Sequence, residues 1–232
     1  MMANLIALLS LFFLLPLSIA AERNLLVTGD VLPTGGRISH LSTIFAGAKN
    51  STLTLTDHGQ LLIRSSDGFA VWSSPPGPKK GSYAAILGPD GQVKVFGPAI
   101  WWTPPLSSSS STSAVVKARH RNLLFSSQVL CDGSKLGSGD YSMEVTEECN
   151  LEFRKAAEVV WESGTKGKGR DCFLRLDHRG RLALLDDRFK LVWMSTKAAP
   201  VDGHFVLVVR FPGQAVVYGP TIWSTSRYGP DG

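Results

Sequence analysis

Residues able to act as ligands, bases or nucleophiles are scattered through this chain rather than gathered. The five histidines fall at positions 40, 58, 120, 178 and 204, and none has metal-ligand spacing to a Cys or a carboxylate, so no metal site is expected. Asp177 and His178 are neighbours within an alternating run, where adjacent side chains face opposite ways and cannot work as a pair. Asp186 and Asp187 follow an apolar run and read as a turn. No Gly-x-Ser-x-Gly, phosphate-binding loop or dinucleotide fingerprint occurs. No catalytic residue and no cofactor is expected, and the chain does not read as an enzyme.

The three thiols, Cys131, Cys149 and Cys172, take their meaning from the N-terminus. Leu5 to Ala20 is a nearly unbroken apolar run ending in Ser18-Ile19-Ala20, a small-x-small pattern suited to cleavage after Ala20 or Ala21. A membrane anchor would need roughly 20 apolar residues, and Pro16 interrupts this shorter run. The segment 1–20 is therefore expected to be a signal peptide. The mature chain is then secreted, extracellular or vacuolar, and does not span a membrane. In an oxidising compartment two of the three thiols should pair and one is left over. Asn50-Ser51-Thr52 becomes a candidate glycosylation sequon at Asn50.

The elements that position these residues come from repetition. Arg23-Asn24-Leu25-Leu26 recurs 98 residues later as Arg121-Asn122-Leu123-Leu124. Val95-Phe96-Gly97-Pro98-Ala99-Ile100-Trp101 recurs 122 residues later as Val217-Tyr218-Gly219-Pro220-Thr221-Ile222-Trp223, so the second copy is 24 residues longer. The shortfall lies between Arg23 and Ser51, and the first copy is expected either to be incomplete or to borrow strands from its neighbour. This gives two domains, 21–106 and 121–232, joined by a Ser-rich linker, 107–120. The basic cluster Lys117, Arg119, His120 and Arg121 reads as solvated linker.

A shorter period runs inside each copy. Trp161, Trp193 and Trp223 are 32 and 30 residues apart, and Trp72 and Trp101 are 29 apart. Before each Trp lies a tight-turn signal: His58-Gly59-Gln60, Asp90-Gly91-Gln92, Glu148-Cys149-Asn150, Arg179-Gly180-Arg181 and Pro212-Gly213-Gln214. Runs such as Leu53-Thr54-Leu55-Thr56 and Leu174-Arg175-Leu176-Asp177 alternate with period two. The fold class is all-β, with one core tryptophan per unit pointing to a shared axis.

Composition agrees with two packed domains. Hydrophobic residues make up 44% of the 232 and charged residues 19%, so a core forms and disorder is excluded. The net charge of +5 divides as +2 over 21–106, +2 over 107–120 and +1 over 121–232. No domain concentrates the basic residues that a phosphate backbone requires, which excludes nucleic acid as the expected partner.

On these residues the chain resembles the monocot mannose-binding, or bulb-type, lectins. The resemblance rests on Arg-Asn-Leu-Leu, Val31-Leu32-Pro33-Thr34-Gly35-Gly36, the Trp closing each repeat, and the final Tyr-Gly-Pro-x-Ile-Trp. It implies tandem β-prism II domains, each with three four-stranded sheets about a pseudo-threefold axis. It also implies a Cys149–Cys172 disulfide, leaving Cys131 without a partner in the family pattern, as a free or buried thiol or else an intermolecular link, and a homodimer or higher oligomer.

The resemblance further implies mannose-containing glycans or glycoproteins as partners, bound by Gln-x-Asp-x-Asn-x-Val-x-Tyr once per repeat. Alternate side chains on one face would line a shallow groove and exchange hydrogen bonds with sugar hydroxyls. This chain keeps fragments only. Thr56, His58, Gln60, Leu62 and Arg64 keep nothing; Gly88, Asp90, Gln92, Lys94 and Phe96 keep the Asp. Thr146, Glu148, Asn150, Glu152 and Arg154 keep the Asn and a longer carboxylate. Asp177, Arg179, Arg181, Ala183 and Leu185 keep nothing, while Arg210, Pro212, Gln214, Val216 and Tyr218 keep Val and Tyr. The candidate carbohydrate-binding residues are Asp90, Gln92, Phe96, Glu148, Asn150, Gln214, Val216 and Tyr218. The functional expectation is a lectin of weakened or altered sugar binding, in defence or storage. The alternative is a lectin-derived protein-interaction or structural protein. The face carrying Arg175, Asp177, Arg179 and Arg181 reads as solvated.

Overall fold

The computed structural model describes residues 25–28, 31–33, 51–88, 90–105, 121–210 and 213–225. The expected signal segment, the Asn50 sequon and the 107–120 linker lie outside these residues. Among them every regular element is a strand, and all twenty lie in five four-stranded antiparallel sheets.

Three sheets enclose the second copy. One runs β11 (Lys135–Ser138), β12 (Tyr141–Val145), β13 (Leu151–Lys155) and β14 (Glu158–Glu162). A second runs β10 (Val129–Cys131), β15 (Phe173–Leu176), β16 (Leu182–Leu185) and β17 (Leu191–Met194). The third holds β9 (Leu123–Phe125), β18 (Val206–Arg210) and β19 (Gln214–Tyr218), and its remaining edge is β8 (Ala99–Trp102), which belongs to the first copy.

The exchange is reciprocal. In the first copy β1 (Leu25–Val27), β6 (Ala84–Leu87) and β7 (Val93–Phe96) are completed by β20 (Thr221–Ser224), the last strand of the second copy. Trp101 pairs with Val217 and Trp223 with Val95. The remaining sheet of the first copy is β2 (Val31–Pro33), β3 (Thr52–Leu55), β4 (Leu61–Arg64) and β5 (Ala70–Ser73). The longer second copy spends its extra residues on the sheet β11–β14, whose counterpart would fall between Pro33 and Ser51, outside the described residues.

The tryptophans follow the exchange, which corrects the sequence grouping of Trp161, Trp193 and Trp223. The second-copy axis is Trp101, Trp161 and Trp193, in edge-on contacts with ring centroids 5.6, 5.8 and 6.4 Å apart. Trp223 instead meets Trp72 at 5.8 Å in the first copy.

Turn geometry fixes the hairpins. At four of the five turns a glycine takes a left-handed backbone (Gly59, Gly91, Gly180 and Gly213), which costs glycine no Cβ clash. At the fifth, Cys149 adopts φ 63°. It is held there by its disulfide to Cys172, which closes a 23-residue separation and is worth about 3 kcal/mol in the chain-entropy picture. Cys131 is free and exposed. Gly59 also lies against Tyr83 and Ile222, and Gly180 against Phe205 and Ile100, so each copy's turn is roofed by an isoleucine from the other copy's last strand.

Where a sheet has one face in water its strands alternate, as in Leu53 and Leu55, which are buried between half-buried threonines. The two exchanged sheets differ. Ala85, Val93 and Val95 enter the first-copy core while Ala84, Ile86 and Phe96 point the other way, onto Leu123, Val206, Val208, Val216 and Tyr218. Leu207, Val209, Ala215 and Val217 meanwhile fill the second-copy core. Both sheets are therefore buried on both faces, and their outer faces form a third core that locks the copies together.

Candidate functional site

Each of the five motif positions sits on a β-hairpin, and the hairpins differ in what surrounds them. On β12–β14 the groove is filled by the protein's own polar groups. Asn150 Nδ2 donates to Glu152 Oε1 at 2.9 Å and to Glu162 Oε2 at 2.7 Å. Its Oδ1 accepts from Ser163 Oγ at 3.1 Å and from the Thr165 backbone N–H at 3.0 Å. That satisfies all four bonds an amide offers, and Asn150 is buried. Arg154 bridges Glu144 and Glu152 at 2.7 and 2.5 Å. Glu148 stands apart at the surface, paired with Lys166 at 2.6 Å.

On β15–β16 the Asp177 carboxylate accepts from the backbone N–H of Arg179 and of Arg181, and from Arg181 Nε, each at 2.8 Å. Burial pushes its pKa up, but these donors outweigh burial and leave it below the ordinary carboxylate value. On β3–β4, Gln60 donates to the Ser74 carbonyl at 2.9 Å and Arg64 to the Gly68 carbonyl at 2.8 Å. These two grooves have turned their polar groups to holding their own hairpins.

The remaining two positions open into clefts between the copies. The first, of about 500 Å³, is floored by Phe96, Phe125 and Phe205 and rimmed by Asp90, Lys94, Gln128, His204 and Ser224. Asp90 Oδ1 accepts from the Gln92 backbone N–H at 3.1 Å, and Oδ2 meets Lys94 Nζ at 2.7 Å. The Lys94 ammonium holds the Asp90 carboxyl below its usual range. Gln128 is oriented through its Oε1, which accepts from the Phe125 backbone N–H at 3.1 Å.

The second cleft, of about 410 Å³, is its pseudo-symmetric mate. It is lined by Arg210, Gln214 and Val216 from β18–β19, Trp102 from β8, and Lys79 and Lys80.

Of the sequence-predicted residues, Asp90 and Phe96 come together on the first cleft, with Gln92 beside it. Gln214 and Val216 come together on the second, and Glu148 and Asn150 lie in a separate groove. Phe96 and Tyr218 pack into the core between the copies, at 1% and 0% exposure. Pro212 lies outside the described residues. The hairpin reading missed Gln128, His204 and Ser224 on one cleft and Lys79, Lys80 and Trp102 on the other, because each comes from the opposite copy or its exchanged strand. The one signal for them is the unbroken apolar character of Ala84–Leu87 and Val206–Val209, which marks sheets buried on both faces.

No protein-family model matches the chain. It is 41% identical over 247 residues to mannose-specific lectin 2 of Crocus vernus, covering 94% of each chain. It is 35% identical over 233 residues to mannose-specific lectin 2 of Colocasia esculenta, covering 90% of this chain and 87% of that one. Among solved structures it resembles the fetuin-binding agglutinin of Scilla campanulata, described as a two-domain lectin. The TM-score is 0.69 at 28% identity, over 78% of this chain and 77% of that one.

Proposed function

The chain belongs to the family of monocot mannose-specific lectins, and from that premise we propose that it binds carbohydrate in the Asp90 cleft between its two copies. The observation that carries this reading is the pairing of a retained Asp90 with an aromatic floor. A pyranose has an apolar face for Phe125 to cover and hydroxyls for Asp90, Lys94 and Gln128 to bond. The cleft's volume falls in the range of small-molecule sites. The filled grooves at Asn150 and Asp177 and the hairpin at Gln60 contribute little, so this protein is a lectin with fewer working sites than repeats. Secretion belongs to the same proposal, supported by the N-terminal apolar run and by the disulfide, which needs an oxidising compartment.

The test is a mannoside and glycan array probed with the full secreted chain at high valency, because single sites of this kind are weak. Mannoside binding that disappears in Asp90→Ala supports the proposal, and a blank array overturns it. A second reading, as a protein-interaction module, draws on the outer face of the sheet β10–β17. There Phe189 and Leu191 are 74% and 50% exposed, and the exposed Met194 lies further along the same edge strand as Leu191. A blank array would leave that reading standing.

A further inference from the structure

The two clefts occupy equivalent places, 122 residues apart in sequence, yet carry different charge. Gly88, Lys94 and Ser224 of the first become Arg210, Val216 and Trp102 in the second. In the Asp90 cleft the one lysine on the wall is neutralised by the carboxylate beside it. In the second cleft three cations, Lys79, Lys80 and Arg210, line the wall, and among the described residues no carboxylate does. Lys80 is engaged by Asp57 at 3.0 Å. Lys79 and Arg210 have no carboxylate partner among the described residues. Of the five N–H donors of Arg210, the described residues take up one, which Nη2 gives to Gln214 Oε1 at 2.6 Å. This bond anchors one corner of the guanidinium.

Trp102 supplies the other half of a site. Its indole is 48% exposed, although it sits on the strand that the first copy lends to the second. Lys197 Nζ stands over its ring at 4.8 Å, a further positive charge beside this indole. An exposed indole that shares a cleft with a guanidinium and two ammonium groups matches a ligand with an apolar ring face and an anionic substituent.

The geometry points to a second, distinct saccharide site here, selective for an acidic sugar: a pyranose bearing a carboxylate or a sulfate ester. Trp102 takes the ring face, Arg210 and Lys79 take the anion through charge-assisted bonds, and Gln214 Nε2 serves a hydroxyl. The volume of about 410 Å³ accommodates one or two rings. The inference rests on the carbohydrate-binding reading of the family but uses none of the residues of the Asp90 cleft.

The test is calorimetric titration of the full chain with methyl β-glucuronide, methyl β-glucoside, glucose 6-sulfate and inorganic sulfate, at low and high salt. The expected result is that the glucuronide or the sulfated sugar binds about tenfold or more tightly than the neutral glucoside, the scale of one charge-assisted contact. That preference should shrink as salt rises. Arg210→Gln removes it while leaving the melting temperature in place, and Trp102→Ala weakens the acidic sugar. If Arg210→Gln fails to fold, Lys79→Gln with the salt series carries the same test. Equal binding of glucuronide and glucoside overturns the inference. So does inorganic sulfate binding as tightly as the sugars, which marks a bare anion site, or acidic-sugar binding unchanged in Arg210→Gln. Mannoside binding tracked through Asp90→Ala reports on the other cleft alone, so either proposal can fail without the other.

Discussion

The second copy closes its axis with three tryptophans from three sheets, whereas the described part of the first copy brings together two, from two sheets. In the complete unit Trp161 and Trp193 are half-buried against a large core; in the other, Trp72 is 36% exposed. Both units nevertheless keep the sheet that faces the partner, and both lend out their last strand. The sheets at the junction are thus the part of the fold that the repeat cannot lose, because each copy is finished only by the other. The clefts lie at that junction for the same reason.

The largest effect expected separates the two axes. Trp193→Ala should cost about 3–5 kcal/mol, the usual scale for emptying an aromatic site in a core, and Trp72→Ala distinctly less, because part of its ring is already in water. Denaturant unfolding of the two variants measures this, and equal losses would dissolve the comparison. Next in size, replacing both Cys149 and Cys172 by Ala should lower stability by about 3 kcal/mol. Hydrogen exchange should place that loss in β11–β17 rather than in the first copy.

The smallest effect is pH-dependent. Asp177 has its pKa depressed in the fold, so its contribution is complete above the unfolded carboxylate value of about 3.9 and is lost as pH falls through the depressed value. Asp177→Asn should therefore melt earlier than the parent at pH 7. The gap should narrow below pH of about 4 and close in stronger acid. A gap that persisted in acid would mean that packing, not charge, holds this hairpin.

Much of this was legible in the sequence. Alternation in Leu53–Thr56 and Leu174–Asp177 announced one-sided sheets, the 30-residue tryptophan period announced repeated β-units around shared tryptophans, and the turn signals located every motif hairpin; the prism itself came from the family resemblance. The family resemblance placed the disulfide. The strand exchange was not legible beyond the expectation of borrowed strands, since Ala99–Trp102 and Thr221–Ser224 are nearly interchangeable in sequence and either copy could have kept its own. Burial of Phe96 and Tyr218 follows from the exchange. Motif alternation assigns them to an open groove, but the outer faces of their sheets pack against each other. The accessible chemistry consequently moves to Lys94 and Arg210, which stand at motif positions without matching the motif residue, and to Gln128, which no local pattern singles out.

The exchange itself is tested most directly by double-mutant cycles on the tryptophans, measured as unfolding free energies of the full chain. Trp101 and Trp161, 5.6 Å apart although they belong to different copies, should couple by about 0.5–1.5 kcal/mol. Trp223 and Trp161, partners only if each copy kept its own last strand, should be additive. Coupling between Trp223 and Trp161 with none between Trp101 and Trp161 would contradict the exchange, and with it the clefts built between the two copies.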